Sequence, residues 1–357
     1  MTVPGMKFTF SAPGRCGIVG NPTDMYGGSV ISCSTRERAY VTVEDNGFLE
    51  IVVGGNVRSI RKPKDFRQDG GMFDAVLAAL EYFELGDALL RITVVTEIPL
   101  RAGLAGSTAM LTALVAALLE WMNAKGCLLE GKSAWSVRAY KNSYMLAETV
   151  RHIELYFLKI VCGYQDAYMC AFGSLRFLDF RGKENYLSLE REPLGSVEDL
   201  ACFSPSLPIV LAHTGVQRIS GSVHKPVRDR WLEGDPLIVK GVLRIAHIAR
   251  MAKKAILGGD WELLGEAMTE NHEIVRSFGS SSEINEKIIR IALDSGAIAA
   301  KLAGAGNGGT IIALHPEPEK LAEVLRGRGV GLVLFPEPFE GVRREKEDSN
   351  KKFERKV

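Results

Sequence analysis

The chain lacks several features that would narrow its function at once. Charge of one sign is missing: 44 Lys and Arg face 43 Asp and Glu, a net charge of +1. A dedicated nucleic-acid binder carries a basic excess, so that class is set aside, although a local basic pocket is not. Cysteine is sparse and scattered. Cys16, Cys33, Cys127, Cys162, Cys170 and Cys202 form no CxxC pair. Neither a zinc site nor a disulfide framework is indicated, and buried reduced thiols in a cytoplasmic protein are expected. The opening MTVPGMKFTFSAPGR has no charged stretch leading into an apolar run, so no signal peptide is expected. The longest apolar run, MLTALVAALLEWM, carries Glu120 and falls short of the roughly 20 residues that span a bilayer. No internal repeat stands out, and neither a membrane nor a nucleic-acid partner is expected.

What remains is an ordinary globular composition. Over 357 residues, 46% are apolar and 24% charged, and the length favours two domains over one. KFTFSAP, SVISCS, AYVTVED and FLEIVVGG alternate like strands joined by turns. Helical spacing runs over 71–84, 109–122 and about 133–158, with a strand over 88–99. LRFLDF reads as a strand, followed by a polar linker to about residue 200. SLPIVLAHTG opens a second unit with three long helical segments, a glycine cluster, the strand TIIALHP and a last helix–strand pair. The fold class is therefore α+β. Residues 1–200 form a β-rich half, 201–340 a helix–strand half, and 341–357 a polar tail expected to be disordered.

Two glycine clusters compete for an anionic ligand. In the first, the strand-like ALLRITVVTEIPL leads into GLAGSTAM, and a helix leaves it. Amides at the start of that helix, with its dipole, suit a phosphate, and the Ser107 and Thr108 hydroxyls can add bonds or reach Mg²⁺. An ordinary helix cap by Ser107 or Thr108 explains the same residues. The second cluster, GAGNGG, formally matches GxGxxG. A helical reading of AIAAKLAG before it and a strand after it reverse the order that a dinucleotide site needs. A tight turn or a loop abutting an active site remains.

Three separated stretches, APGRCGIVGNPTDMYGG, PLRAGLAGSTAM and KLAGAGNGGTIIAL, resemble in order and spacing the three motifs of the GHMP kinase superfamily of galactokinases, homoserine kinases, mevalonate kinases and phosphomevalonate kinases. AETVRHIE and GYQDAYMCAFGSLRFLDF resemble the sugar-kinase branch, and VHKPVRDRWLEGD resembles a segment of glucuronokinases. The resemblance implies a ribosomal-protein-like β-α domain, a ferredoxin-like domain and ATP with Mg²⁺ between them. It implies a sugar as acceptor, phosphorylated at its anomeric hydroxyl. A heptose, a fucose-type sugar, a mevalonate-type alcohol, decarboxylation through a transient phosphate, or a non-catalytic sensor are the alternatives. Oligomeric state is not legible.

The same resemblance distributes roles. Gly103, Leu104, Ala105, Gly106, Ser107, Thr108 and Ala109 would wrap the ATP phosphates. Thr108, rather than Ser107, would reach Mg²⁺ together with Glu154, with Glu148 as the fallback. Asp166 would be the general base. Arg15 would be a fixed positive charge, because an arginine keeps its proton. Asn21 and Asp24, in NPTD, would contact the sugar, and Gly306, Asn307 and Gly308 would line the cleft. Among Arg218, His224, Lys225, Arg228 and Arg230, Arg228 would hold the carboxylate of a uronic acid. Plainer readings stand beside these: an ion pair for Arg15, an Asx turn for Asp24, a solvated helix face for Glu154 and a helix cap for Asp166.

Overall fold

The computed structural model describes residues 5–99, 101–127, 142–183, 193–204, 206–216, 220–304 and 306–346. In chain order the elements are β1 (Lys7–Val19), β2 (Ser29–Asp45), β3 (Leu49–Val53), β4 (Asn56–Ile60), α1 (Asp74–Tyr82), β5 (Leu90–Thr96), α2 (Gly106–Ala124), α3 (Ser143–His152), α4 (Gln165–Phe172), β6 (Leu175–Asp179) and β7 (Ser196–Asp199). There follow β8 (Ile209–His213), α5 (Ser220–Leu232), α6 (Pro236–Gly258), α7 (Trp261–Ser277), α8 (Glu283–Asp294), β9 (Ala299–Leu302), β10 (Thr310–Leu314), α9 (Pro318–Gly327), β11 (Leu332–Leu334) and β12 (Arg343–Arg344).

The strands form two sheets, and mixed helix and sheet in two units bear out the α+β reading. The larger sheet runs β12-β1-β2-β5-β3-β4, with β6 and β7 branching from β2. SVISCS and AYVTVED are one long strand, β2, not two. Its first half pairs β6 and its second half pairs β5. From Ala39 to Val43 the odd positions are buried and Tyr40 and Thr42 half-buried, the period of two that turns one face to a core. The smaller sheet is antiparallel, in the order β11-β8-β10-β9.

The helix α2 lies across β1 and β2. It is apolar nearly all round because protein surrounds it. It passes the length and composition test for a membrane span, yet 72% of that window is buried inside the protein. Leu111, Leu114, Val115 and Leu118 are fully buried there, each contributing about 1.5–3 kcal/mol. This burial holds the helix start, and so the first glycine cluster, against the sheet.

Three sequence expectations need correction. AIAAKLAG is not helical: β9 pairs antiparallel with β10, so GAGNGG joins two strands. Ala, Leu and Lys favour helices weakly, and pairing along β10 overrides that preference. The polar linker contains β7, paired to β6. Lastly, residues 341–346 are ordered, whereas 347–357 lie outside the described residues. The strand β12 pairs with β1, and the buried Arg38 guanidinium donates to the Glu340 and Gly341 carbonyls at 2.9 and 2.6 Å. Of the helix expected over 133–158, the part up to 141 also lies outside the described residues.

Candidate active site

A cavity of about 400 Å³ opens beside the first glycine cluster. It is lined by Arg15, Asn21, Asp24, Gly103, Ala105, Gly106, Ser107, Thr108, Glu154 and Asp166, among others. These come from β1, the turn after it, the first glycine cluster and the segments around α4. A hollow of about 550 Å³ near Phe48 and Phe66 is larger but is lined by only three charged residues, Arg61, Lys62 and Asp87.

The first glycine cluster is built to leave amides open. The helix α2 starts at Gly106, with Ala105 as its N-cap. Alanine has no side-chain acceptor, and none caps this end. The first helical bond runs from the Ala109 amide to the Ala105 carbonyl at 2.8 Å, leaving the amides of Gly106, Ser107 and Thr108 without a helical acceptor. Gly103 and Ala105 both adopt positive φ, 77° and 59°. For alanine that backbone is strained, a condition that clusters at ligand sites. The cap reading of Ser107 and Thr108 fails because both sit inside the first turn. Leu104 and Ala109 are buried behind the loop. The Leu104 carbonyl accepts from the Arg15 amide at 3.1 Å, and a Cβ on Gly14 would lie 2.8 Å from that carbonyl.

Ser107 is exposed, whereas Thr108 is buried and donates to Glu154 Oε1 at 2.7 Å. Glu154 lies in a π-helical turn, Ile153–Phe157, that follows α3. The wider turn shows in the bond from the Leu158 amide to the Ile153 carbonyl, and it points Glu154 into the cavity. Burial pushes the Glu154 carboxyl up to about 7; the Thr108 bond opposes this and the Asp166 charge adds to it. A divalent cation beside it would offset that burial. One carboxylate and neighbouring hydroxyls beside open amides suit Mg²⁺ carried on phosphates. The fallback Glu148 is not at the cavity: Tyr168 donates to it at 2.5 Å and Lys183 pairs with it at 2.9 Å.

Asp166 is in the first turn of α4, and Tyr164, not Asp166, is the N-cap. Arg15 donates to its Oδ1 from Nε at 2.7 Å and also from Nη2, and from Nη1 to the Gly103 carbonyl at 2.6 Å. Among the described residues nothing bonds Oδ2. Burial opposes the Arg15 charge, but Asp166 outweighs it and the guanidinium pKa is raised. Arg15 therefore ties the first glycine cluster to the carboxylate.

Asp24 caps α4 from across the cavity. Its Oδ2 accepts from the amides of Tyr164 and Gln165 at 2.9 and 3.0 Å. Burial lifts its pKa; the Gln165 amide works against this and the Asp166 charge adds to it. Asn21 reaches the cavity wall, but its side-chain amide points to Ala303 and Lys301.

The second cluster largely leaves the site. Gly304 lines the cavity; Gly306, Asn307 and Gly308 do not, which corrects their assignment to the cleft. The Asn307 amide donates to Ser280 at 2.7 Å and the Gly308 amide to Asn285 at 2.8 Å. A Cβ on Gly306 would lie 1.9 Å from the Ser280 carbonyl. Close backbone packing explains these glycines. Arg228 is also off the cavity wall. It bonds Asp229 at 3.2 Å, and its buried Nε has no partner among the described residues. Lys225 is exposed and Arg230 pairs with Asp235 at 2.7 Å; Arg218 and the His224 side chain lie outside the described residues. Residues not singled out from sequence complete the wall: Gly70, Gly71, Arg101, Cys162 and Gly163. A Cβ on Gly163 would lie 1.9 Å from Asp24 Oδ2, so this glycine, within GYQD, admits the cap.

Comparison with known proteins agrees with this arrangement. The GHMP kinases N-terminal domain model matches residues 72–174, and the GHMP kinases C-terminal model matches 252–328. The chain is 26% identical over 348 residues to Glucuronokinase 1 of Arabidopsis thaliana, covering 90% of this chain and 89% of that one. It is 24% identical to the mevalonate kinase of Methanothermobacter thermautotrophicus over 311 residues, 87% and 91% of the two chains. The crystal structure of a D-glycero-D-manno-heptose 1-phosphate kinase from Bacteriodes thetaiotaomicron shares the fold, with a TM-score of 0.68 at 21% identity over 96% of this chain and 99% of that one. A glycine loop with open amides and a carboxylate face one cavity in a chain matched by both domain models: the protein belongs to the GHMP kinase superfamily and is a phosphotransferase acting on a sugar or alcohol.

Proposed function

We propose that the protein transfers the γ-phosphoryl group of ATP to the anomeric hydroxyl of a uronic acid or a closely related sugar. The observation that carries the reading is the Arg15–Asp166 pair, which faces the open amides of Gly106–Thr108 across one cavity. In that reading the triphosphate lies on the amides of α2, as anions do at helix starts. Mg²⁺, held by Glu154 with Thr108 or Ser107, would neutralise charge on the phosphates.

Asp166 Oδ2 takes the proton of the acceptor hydroxyl as the oxygen bonds the γ-phosphorus. The bond from that phosphorus to the β-phosphate oxygen breaks, and ADP leaves. Arg15 occupies Oδ1, which keeps Oδ2 turned to the acceptor, and adds a positive charge where negative charge develops. Asp24 Oδ1 bonds a sugar hydroxyl while Oδ2 keeps the α4 cap. The acceptor taken there is a uronic acid or a related sugar. The similarity to glucuronokinases over most of the chain supports that choice. The similarity to mevalonate kinases keeps a mevalonate-type alcohol as the second reading.

The test is ADP release from MgATP with a panel of free sugars, uronic acids and mevalonate. Uronic-acid-dependent release is expected. Turnover of mevalonate alone would replace the sugar reading. Tight nucleotide binding with no acceptor turned over would make the protein a sensor.

A further inference from the structure

Lys301 is a buried cation that the phosphotransfer chemistry does not use. It sits on β9, the edge strand of the smaller sheet, with 2% of its surface exposed. Its ammonium donates to the Leu302 carbonyl at 2.6 Å, to Asn21 Oδ1 at 3.4 Å and to the Gly17 carbonyl at 3.5 Å. Among the described residues no carboxylate lies within ion-pair distance of it. An ammonium without a counter-ion is expensive to bury, so its acceptors are the contacts that hold it.

The Leu302 carbonyl is on β9 itself, but the other two acceptors belong to the unit of the larger sheet. Gly17 is on β1 and Asn21 is in the turn after it. The two sheets meet here through backbone as well, with the Gly17 amide on the Ala303 carbonyl at 3.0 Å. The Asn21 side chain bridges the same seam, donating to Ala303 at 3.4 Å while Lys301 meets its oxygen. Its main-chain carbonyl accepts from Asn271 at 3.2 Å, and Asn271 Oδ1 accepts from the Gly20 amide at 2.9 Å. A Cβ on Gly17 would lie 2.7 Å from Asn21 Oδ1, so the amide packs flat on β1. Three residues beyond Asn21 stands Asp24, which caps α4 beside Asp166.

We propose that Lys301 is a positioning residue for the acceptor half of the site. Its ammonium fixes the Asn21 turn against β1, and through Asp24 it holds the start of α4 where Asp166 meets the acceptor. This rests on the kinase reading for what Asp166 does, but not for the contact itself.

The experiment compares wild type with Lys301→Met, which keeps the length of the side chain and removes the ammonium. Hydrogen exchange followed by mass spectrometry is read at Tyr164 and Gln165, whose amides Asp24 accepts, in protein without ligand. Exchange there is expected to rise at least about tenfold, while amides in the middle of α2 stay unchanged. With whichever acceptor the wild type turns over, kcat/KM for the acceptor should fall about tenfold or more, with the dissociation constant for ADP within about threefold of wild type. Exchange unchanged at Tyr164 and Gln165 in folded Lys301→Met overturns the proposal. So does an equal loss of acceptor and ADP affinity, which marks a general structural role. If Lys301→Met does not fold, Asn21→Ala removes the other end of the contact and has to show the same rise in exchange; no rise overturns the proposal. Failure of the wild type on every acceptor would sink the kinase reading and leave the exchange result to decide this one.

Discussion

The two glycine clusters look alike on paper and do opposite things. GLAGSTAM leaves the amides of three consecutive residues without a helical acceptor and turns them to a cavity. GAGNGG has amides at Asn307, Gly308 and Gly309 bonded to Ser280, Asn285 and Val216. One loop is open to a ligand; the other is closed on its own protein. Glycine content therefore says little by itself, and what matters is where each amide finds its acceptor.

The comparison can be broken most severely at the carboxylate that faces the open loop. Asp166→Asn keeps an acceptor for Arg15 but removes the proton acceptor, so kcat should fall about 10²–10⁴-fold while nucleotide affinity holds. Initial rates with a nucleotide titration check this, and turnover within a few-fold of wild type would move the base elsewhere. A smaller effect is expected on the loop itself. Thr108→Val should raise the Mg²⁺ concentration for half-maximal activity about 10–100-fold, because it removes the hydroxyl bonded to Glu154. Should Ser107→Ala give the larger rise, Ser107 is the one that meets the metal.

The closed loop should respond in stability instead. Gly306→Ala places a Cβ against the Ser280 carbonyl at φ 94° and should cost about 1–3 kcal/mol or more, seen as a lower melting temperature. The KM values should not move in the folded fraction, and a selective loss of acceptor affinity would return this loop to the site. The smallest effect concerns the seam between the loops. Burial pushes the Lys301 pKa down to about 7, with Cys16 raising and Arg15 lowering it further. His272 on α7 also faces it, and α8 packs on the opposite face of β9 against Ala300. The unfolded lysine titrates near 10.4, so between about pH 7 and 10 the unfolded chain binds more protons than the folded one. This group's contribution therefore improves as pH rises through that window and is flat below it. Urea melts at pH 7 and pH 9 should show wild type gaining stability relative to Lys301→Met as the pH rises.

Much of the open loop was legible because its signal is local. A strand, small residues and an apolar helix in that order dictate where the amides point. Asp166 and Glu154 were reachable only through resemblance, and their geometry was not. Glu154 depends on a π-helical turn that a reading of one continuous helix over 133–158 does not contain. AIAAKLAG was misread because its helix-forming residues are held in a strand by β10, a partner that periodicity does not see. Asn21 and Arg228 were assigned by residue type. Asn21 turned out to be occupied by a lysine some 280 positions away, and no local pattern reports such a contact.

The clamp at the chain's far end has a consequence for the order in which the molecule is put together. Ser11 on β1 and Glu345 beyond β12 are bonded across 334 positions. A Cβ on Gly341 would lie 2.1 Å from the Ala171 carbonyl, so this segment also lies against the end of α4. The helix that carries Asp166 is thus held at its start by the Asp24 turn and at its end by residues about 170 positions further along the chain. Contacts so distant in sequence close late in folding. The support of the carboxylate that faces the open loop thus depends on contacts between parts of the chain that lie far apart in sequence.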